Sequence, residues 1–189
     1  MRTLFTERQI AARIDELAAD IAASLAGSDR PIAAPILTGA LFFAADLIRA
    51  MHARGCDALV DCVQLGSYGG ARTSSGVVQL LKDFSVDVQG RDVLLIDDVL
   101  DTGRSLHFGR EMLLARGVNR ALTCVLVRKA TGRAEDLSPD FVGFEAGAED
   151  FLVGYGMDDA GLGRGLPFIG AVDPVADIAP NKSNSSGDR

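Results

Sequence analysis

Three aspartates, Asp97, Asp98 and Asp101, lie within five residues of one another near the middle of the chain. Carboxylates this close repel, and each raises the pKa of its neighbours unless a cation or a hydrogen-bond donor compensates. Such a group occurs in solvated acidic loops about as often as in ligand sites. The residues that follow Asp101 distinguish a ligand site from a solvated acidic loop.

The next four residues, 102–105 (TGRS), favour a ligand site. They stand at the start of a helical segment, so they offer successive backbone N–H groups, two hydroxyls and the positive end of a helix. Those groups bind phosphate. Acids beside a phosphate site suit sugar hydroxyls, a hard cation such as Mg²⁺, or a proton in transit. The sequence therefore predicts a sugar-phosphate site at this loop.

A strand and a helix are predicted on either side of the loop. Residues 93–96 form a continuous apolar run, typical of a strand buried on both faces of a parallel sheet. A helix follows over about 105–116, and a second buried strand over 121–127. This order predicts an α/β fold, a parallel twisted sheet flanked by helices, whose ligands bind beyond the carboxyl ends of its strands.

The rest of the chain supplies further elements of one domain over residues 1–179. Thr6 and Gln9 have capping-box spacing at the start of an amphipathic helix that ends at Gly27. Other predicted elements are strands over 31–37, 59–65 and 77–81 and a helix over 40–54. The short segments 141–144, 151–153 and 168–172 suggest a small hood subdomain, formed by the N-terminal segment and about 140–172. Residues 180–189 are predicted to be a disordered tail.

Composition excludes several classes of protein. The 189 residues carry 26 acidic and 19 basic side chains, a net charge of −7, which argues against a general nucleic-acid binder. The longest uncharged stretch, 31–45, is too short and too broken by proline for a membrane span. Three cysteines form no disulfide framework and the two histidines have no metal-ligand spacing, so we expect a cytoplasmic protein with reduced thiols.

The segment 93–106, VLLIDDVLDTGRSL, closely resembles the phosphoribosyl pyrophosphate signature of type I phosphoribosyltransferases. An aspartate at position 101 is typical of the hypoxanthine-guanine branch. Further segments resemble that branch's mobile active-site loop and its purine-binding hood: 65–69 with 75–76 and 81–83, and then 139–145, 151–158 and 164–167. The resemblance covers most of the chain between residues 36 and 170.

The resemblance implies roles for the acidic loop. Asp97 and Asp98 would hold the ribose hydroxyls, directly or through Mg²⁺, and Asp101 would be the catalytic general acid/base facing N7 of the purine. The residues implied in binding phosphoribosyl pyrophosphate are Asp97, Asp98, Asp101, Thr102, Gly103, Arg104, Ser105, Thr38, Gly39 and Arg164.

A second set of residues is implied in binding the purine. Lys129 would donate to the 6-oxo group, Phe151 would stack on the base, and the main chain of Leu152 would read its edge. The carbonyl of Asp158 would meet the exocyclic group of guanine.

Two further roles come from the same resemblance. The carboxylate of Asp158 would reach a second Mg²⁺, in addition to the one at Asp97 and Asp98, and Ser67 and Tyr68 would close over the reacting centre.

The segment Leu37-Thr38-Gly39-Ala40 departs from the family, which usually has lysine where this chain has Thr38. The positive charge of that lysine is lost. In relatives the preceding peptide bond is often cis and turns main-chain N–H groups towards pyrophosphate. Gly39 keeps a close approach possible, so we expect binding through the main chain to remain.

The implied protein is a purine-salvage enzyme that transfers 5-phosphoribose from phosphoribosyl pyrophosphate to N9 of hypoxanthine or guanine, giving IMP or GMP and pyrophosphate. Mg²⁺ is its implied cofactor and a homo-oligomer, dimer or tetramer, its implied assembly, without nucleic acid or membrane. The alternative is a uracil phosphoribosyltransferase-like regulator that binds RNA. Acidic residue 101, Lys129, Phe151 and the net negative charge count against it. A binding module without catalysis and an ordinary flavodoxin-like domain explain fewer of these residues.

Overall fold

The computed structural model describes residues 1–67, 78–131 and 138–172, which form three helices and ten strands. The helices are α1 (Glu7–Ser24), α2 (Leu41–His52) and α3 (Arg104–Ala115). The strands are β1 (Arg2–Phe5), β2 (Ile32–Leu37), β3 (Leu59–Val60), β4 (Val63–Ser67), β5 (Val78–Lys82), β6 (Asp92–Leu100), β7 (Arg120–Lys129), β8 (Phe141–Ala146), β9 (Phe151–Val153) and β10 (Ile169–Val172). Tyr68 and the predicted tail, 180–189, lie outside the described residues.

Seven of the described strands form the central sheet. Their order is β5-β4-β2-β6-β7-β8, with β3 beside β2, and all neighbours are parallel except β4 and β5. Residues 93–96 of β6 are fully buried, as their unbroken apolar run predicts. The α/β fold with a mostly parallel sheet and flanking helices is confirmed.

The helices cover the two faces of this sheet. Leu94 and Ile96 pack in one core with α1 and α2, whereas Val93 and Leu95 pack in a second core with α3. The predicted capping box of α1 is present, since Thr6 and Gln9 exchange hydrogen bonds. None of the three described helices is long and apolar enough to cross a membrane.

The boundaries of β6 differ from the prediction. The strand was expected to end before Asp97, but it continues to Leu100 because its parallel pairing with β7 continues, from Asp97 opposite Val125 to Leu100 opposite Arg128. Asp97 and Asp98 therefore belong to the strand and have its rigidity. Only the turn from Asp101 to Gly103 separates the strand from α3.

The strand predicted over 59–65 is interrupted. Buried Asp61 turns its carboxylate to the backbone N–H groups of Cys62, Ser85 and Val86, at 2.8, 2.5 and 3.1 Å. These bonds take the chain out of regular pairing for two residues. The result is two short strands, β3 and β4, that pair with different parts of β2.

A second, antiparallel sheet has the order β1-β10-β9, and we call it the hood sheet. Residues 141–144 were predicted to belong to the hood, but they form β8, which pairs with β7 at the edge of the central sheet. The guanidinium of Arg13 in α1 donates to the carbonyl oxygens of Val142 and Gly143 in β8, both at 2.8 Å. Those bonds fix α1 to the edge of the central sheet.

Candidate active site

The carboxyl ends of β6 and β7 bring the acidic loop and Lys129 together. The two strands are parallel neighbours, so both end at the same edge of the sheet. Asp101 follows β6 and Lys129 ends β7, and Lys129 Nζ lies 3.7 Å from Asp101 Oδ2. The Lys129 side chain is only 14% exposed, which separates it from an ordinary solvated surface lysine.

A cavity of about 200 Å³ opens beside this pair. Its walls come from three places: the end of β6, the end of β7, and the hood sheet with the turn after β9. The residues lining it are Asp98, Val99, Asp101, Lys129, Asp150, Phe151, Leu152, Met157 and Asp158. Six of them were predicted as site residues from the sequence. The fold therefore brings together side chains that are up to 60 positions apart, from Asp98 to Asp158.

Asp97 and Asp98 form an electrostatically strained pair. Burial raises the pKa of Asp97 well above its ordinary value, and the neighbouring charge of Asp98 raises it further. Burial also raises the pKa of Asp98, against the opposing effects of the Val99 N–H and the nearby charge of Arg164. Each carboxylate accepts a hydrogen bond from the backbone N–H of the next residue, at 3.0 and 2.8 Å. A cation or hydroxyl donors from a ligand would stabilise both charges.

Asp101 has one oxygen ready for a partner. Its Oδ2 faces Lys129, whereas its Oδ1 is buried and has no hydrogen-bond partner within the described part of the chain. A buried acceptor without a partner costs about 1–3 kcal/mol, so such atoms are rare outside functional sites. The backbone carbonyl of Asp101 accepts a hydrogen bond from Thr131 Oγ1 at 2.9 Å, which fixes the turn.

The turn that leads into α3 has the geometry of an anion site. Gly103 has a φ of +73°, which glycine adopts without strain, and α3 begins at the next residue. The first turn of a helix leaves backbone N–H groups without intrahelical partners. No acidic residue stands in the first turn of α3 to repel an anion. Asp101 lines the cavity, whereas the residues that follow it do not: Thr102, Gly103, Arg104 and Ser105.

Gly39 lies against the side chain of Asp98, and Thr38 precedes it in the chain. The peptide bond between Leu37 and Thr38 is cis, and Thr38 is exposed. A Cβ built on Gly39 would lie 2.0 Å from Asp98 Oδ2, so only glycine fits between this loop and the acid. The loop therefore borders the acidic end of β6, as the resemblance implies.

The hood sheet supplies another wall of the cavity. Phe151 and Leu152 begin β9, with Phe151 47% exposed and Leu152 buried. A large apolar side chain exposed at the mouth of a cavity is available to stack on a flat ligand. Asp150 and Met157 complete this wall, and Asp150 was not predicted as a site residue although it directly precedes Phe151. Its carboxylate accepts hydrogen bonds from Arg2, at 3.0 Å, and from the Gly147 N–H, at 2.9 Å.

Asp158 and Arg164 pair with each other. Arg164 Nη2 lies 2.5 Å from Asp158 Oδ1, Asp158 Oδ2 accepts from the Gly161 N–H at 2.6 Å, and Arg164 Nη1 donates to the Gly156 carbonyl at 2.5 Å. Both oxygens of Asp158 thus have partners in the protein. Within residues 1–67, 78–131 and 138–172, no group of three or more His, Cys, Asp or Glu is arranged to hold a metal. The implied role of Asp158 at a second Mg²⁺ needs no such group and stays a prediction.

The predicted active-site loop is described only at its start. Ser67 is the last residue of β4, at the carboxyl end of that strand, and Tyr68 lies outside the described residues.

The chain matches the phosphoribosyl transferase domain family over residues 2–160. It is 38% identical to the hypoxanthine-guanine phosphoribosyltransferase of Aquifex aeolicus, over 92% of this chain and 95% of that protein. It is 36% identical to the protein of the same name from Bacillus subtilis, over 92% of this chain and 94% of that protein.

Solved structures similar to this chain carry the same family name as these relatives. A hypoxanthine phosphoribosyltransferase from Staphylococcus aureus superposes with a TM-score of 0.84 at 33% identity, covering 92% of both chains. The hypoxanthine phosphoribosyl transferase of Trypanosoma cruzi superposes with a TM-score of 0.85 at 33% identity and the same coverage. On sequence, fold and the arrangement of its cavity, the chain belongs to the phosphoribosyltransferase family, in its hypoxanthine-guanine branch.

Proposed function

We propose that this protein transfers 5-phosphoribose from phosphoribosyl pyrophosphate to N9 of hypoxanthine or guanine, forming IMP or GMP and pyrophosphate. The observation that supports it best is the single cavity bordered by Asp101, Lys129, Phe151 and Leu152, beside a helix start suited to phosphate. One ligand can therefore touch a proton acceptor, a cation and an aromatic ring at once.

The ribose and its phosphate bind at the end of β6. The N–H and hydroxyl groups of residues 101–105 hold the 5′-phosphate, where the helix N-terminus favours negative charge. Asp97 and Asp98 hold the 2′- and 3′-hydroxyls. Ribose hydroxyls are hydrogen-bond donors, so they relieve the repulsion and burial that raise the pKa of both acids.

Pyrophosphate binds between two parts of the chain. The main chain of Thr38 and Gly39 borders Asp98, and Arg164 lies near enough to lower the pKa of that acid. An arginine fork suits phosphate oxygens, and Arg164 can offer it by leaving Asp158.

Asp101 acts as the general base. N9 of the purine attacks C1′ while the bond from C1′ to the pyrophosphate oxygen breaks, and its electron pair leaves with pyrophosphate. The proton on N7 of the base then passes to Asp101, whose buried Oδ1 has no hydrogen-bond partner among the described residues. General base catalysis is typically worth about 10²–10⁴-fold in rate.

Lys129 selects bases that carry oxygen at position 6. An ammonium only donates hydrogen bonds, so it fits the carbonyl of hypoxanthine or guanine and meets another donor in adenine. Phe151 stacks on the base, and the main chain of Leu152 reads its edge. The main-chain carbonyl oxygen of Asp158, which lines the cavity, accepts a hydrogen bond from the exocyclic group of guanine.

Mg²⁺ fits this site as an ion brought in with the substrate. Mg²⁺ is usually held by one or two carboxylates together with substrate phosphates. Asp97 and Asp98 provide that number, and their raised pKa values mark a place where a cation is favourable. Bound there, Mg²⁺ would neutralise charge on the pyrophosphate leaving group.

Ser67 and Tyr68 complete the proposal as residues that close over the reacting centre and exclude water. We further propose a homo-oligomer, dimer or tetramer, in the cytoplasm. Leu41 and Phe42 at the start of α2 are 47% and 41% exposed, which suits burial against another subunit. The three cysteines are free, as in a reducing compartment.

The test is a panel of hypoxanthine, guanine, xanthine and adenine with phosphoribosyl pyrophosphate and Mg²⁺, followed by absorbance. We expect nucleotide from hypoxanthine or guanine and far less from adenine. Failure to convert any oxopurine would contradict the proposed activity, and adenine used as well as hypoxanthine would contradict the role of Lys129. The RNA-binding regulator gains no support from the comparisons, and RNA binding in a shift assay at physiological salt would revive it.

A further inference from the structure

The turn of residues 154–157, which we call the hood turn, contacts the loop of residues 38–40 between β2 and α2. Gly156 has a φ of +106°, and a Cβ built there would lie 2.1 Å from the carbonyl oxygen of Gly39. No side chain tolerates that distance. The backbone of the hood turn therefore touches the backbone of the loop with nothing between them.

This contact continues to the acidic end of β6. Gly39 lies against Asp98, so the acid, the loop and Gly156 form three layers in contact. The two residues after Gly156 are Met157 and Asp158, and both line the cavity. The position of the hood turn on the loop therefore fixes one wall of the cavity relative to the acids.

Tyr155 holds the hood turn from the side. Its φ is +50°, a region that few non-glycine residues adopt and that persists only where surrounding contacts determine it. The residue is 9% exposed, and its hydroxyl donates a hydrogen bond to Asp46 Oδ2 in α2, the helix that follows the loop. Burial, and then the bond to Asp46, raise the pKa of Tyr155 far above its ordinary value, so the hydroxyl remains a donor.

We propose that Tyr155 is a positioning residue: its bond to Asp46 holds the hood turn on the loop and so sets the spacing between the purine cavity and the acids of β6. This inference rests on the proposed function. Neither Tyr155 nor Asp46 lines the cavity, so both act through the residues that do.

The backbone of the turn has its own support. The Tyr155 N–H donates to the Leu166 carbonyl and the Gly156 N–H to the Arg164 carbonyl, both at 2.9 Å. Removal of the hydroxyl alone therefore leaves the turn folded but free to shift on the loop. Both substrates then bind less well, while the groups that carry the reaction remain.

The test begins with Tyr155→Phe, Asp46→Ala and the double variant. Loss of one hydrogen bond predicts an increase of about two- to tenfold in KM for both the purine and phosphoribosyl pyrophosphate, with kcat changed less than about twofold. The double variant should be no worse than either single one, because both remove the same bond. A merely structural role would lower Tm and leave both KM values unchanged.

Two further variants serve as matched controls. Asp46→Asn keeps an oxygen that can accept from Tyr155, so it should retain both KM values. Arg49→Gln removes the ion pair that Asp46 makes with Arg49 and leaves the Tyr155 hydroxyl in place. The Arg49 side chain is 73% exposed, so this variant should behave as the unchanged protein.

Hydrogen exchange gives a readout that does not depend on activity. In Tyr155→Phe we expect faster amide exchange both in residues 154–158 and in residues 38–44, with β7 unchanged. If the unchanged protein makes no nucleotide, the proposed function fails, and the exchange result alone decides whether Tyr155 holds the turn. Unchanged KM values and exchange in Tyr155→Phe, or additive effects in the double variant, would overturn the inference.

Discussion

Asp92 and Asp97 stand near the two ends of β6, both buried, at 6% and 8% exposure, yet their surroundings are opposite. Asp92 accepts hydrogen bonds from Arg120, Asn119 and Ser28 at 2.5 to 3.1 Å. The bonds from Arg120 hold the pKa of Asp92 well below its ordinary value. The protein itself thus supplies the positive charge and the hydrogen-bond donors that stabilise the Asp92 carboxylate.

Asp97 lacks such compensation. Burial and the charge of Asp98 raise its pKa, and the bond from the Asp98 N–H opposes them only in part. Acids with raised pKa values cluster at functional sites, where a ligand can supply the missing hydrogen bonds or positive charge. The two aspartates thus share residue type, strand and burial. They differ in what supplies the partner: the chain itself for Asp92 and, under the proposed function, the substrate for Asp97.

The largest effect is expected at the substrate end, in Asp101→Asn. The amide keeps the shape of the side chain but cannot take a proton, so kcat should fall by at least about 10²-fold, within the usual range for general base catalysis. Binding of phosphoribosyl pyrophosphate, measured by calorimetry, should be retained. Turnover at the original rate would exclude Asp101 as the base.

At the opposite end, Asp92→Asn should reduce stability and leave chemistry intact. Breaking a buried ion pair can cost 3–5 kcal/mol, but Arg120 is partly exposed, so we expect a loss of about 1–3 kcal/mol in the free energy of unfolding. Urea denaturation measures this, with Glu145→Gln in an exposed ion pair as control. A fall in kcat without a fall in the free energy of unfolding would show that Asp92 serves the reaction and not the stability of the fold.

The pH dependence of stability should follow the same acid. The folded pKa of Asp92 lies below its unfolded value of about 3.9, so its contribution is present above that pH and is lost as the pH falls towards the folded pKa. Asp61 and Asp83 also have lowered pKa values and contribute with the same sign. In Asp92→Asn the loss of stability below about pH 4 should be smaller than in the unchanged protein, and an identical acid profile would contradict this.

Lys129→Gln tests the selectivity of the cavity. An amide can donate or accept, so the preference for hypoxanthine over adenine, as a ratio of kcat/KM values, should fall about tenfold. The neighbouring Arg128→Gln, whose side chain pairs with Glu145 at the surface, is the matched control. An unchanged ratio would show that another group reads position 6.

The smallest effect is expected in the ligand-free Asp97→Asn protein. Removing a buried charge beside Asp98 should raise Tm by about 2–4 °C, the equivalent of about 1 kcal/mol in a chain of this size. Binding of phosphoribosyl pyrophosphate should weaken at the same time. A lower Tm, measured by calorimetry without ligand, would make Asp97 a structural acid like Asp92.

The position of the acidic loop between β6 and α3 could be predicted because its signals are local. The apolar run of β6, the acids after it and the Gly103 turn are adjacent in sequence, and each follows a short-range rule. Phe151 and Asp158 carry no such signal, and only their resemblance to a known motif indicated them.

What could not be predicted depends on contacts between distant segments. Pairing of Gly170 with Val153 sets the hood sheet, and the interruption at Asp61 depends on residues more than twenty positions away. The end of β6 was misplaced because acids normally mark loops, whereas the ladder with β7 continues past them. The contact of Gly156 with Gly39 likewise appears only in three dimensions.

The bonds from Arg13 to β8 also bear on solubility. β8 is an edge strand, and an exposed edge can pair with a strand of another molecule, the route by which many β-rich proteins aggregate. The guanidinium of Arg13 already bonds to the carbonyl oxygens of Val142 and Gly143, so these two acceptors are less available to a strand of another molecule. One arginine of α1 thus reduces the bonding capacity that β8 offers to another molecule while it fixes the helix in place.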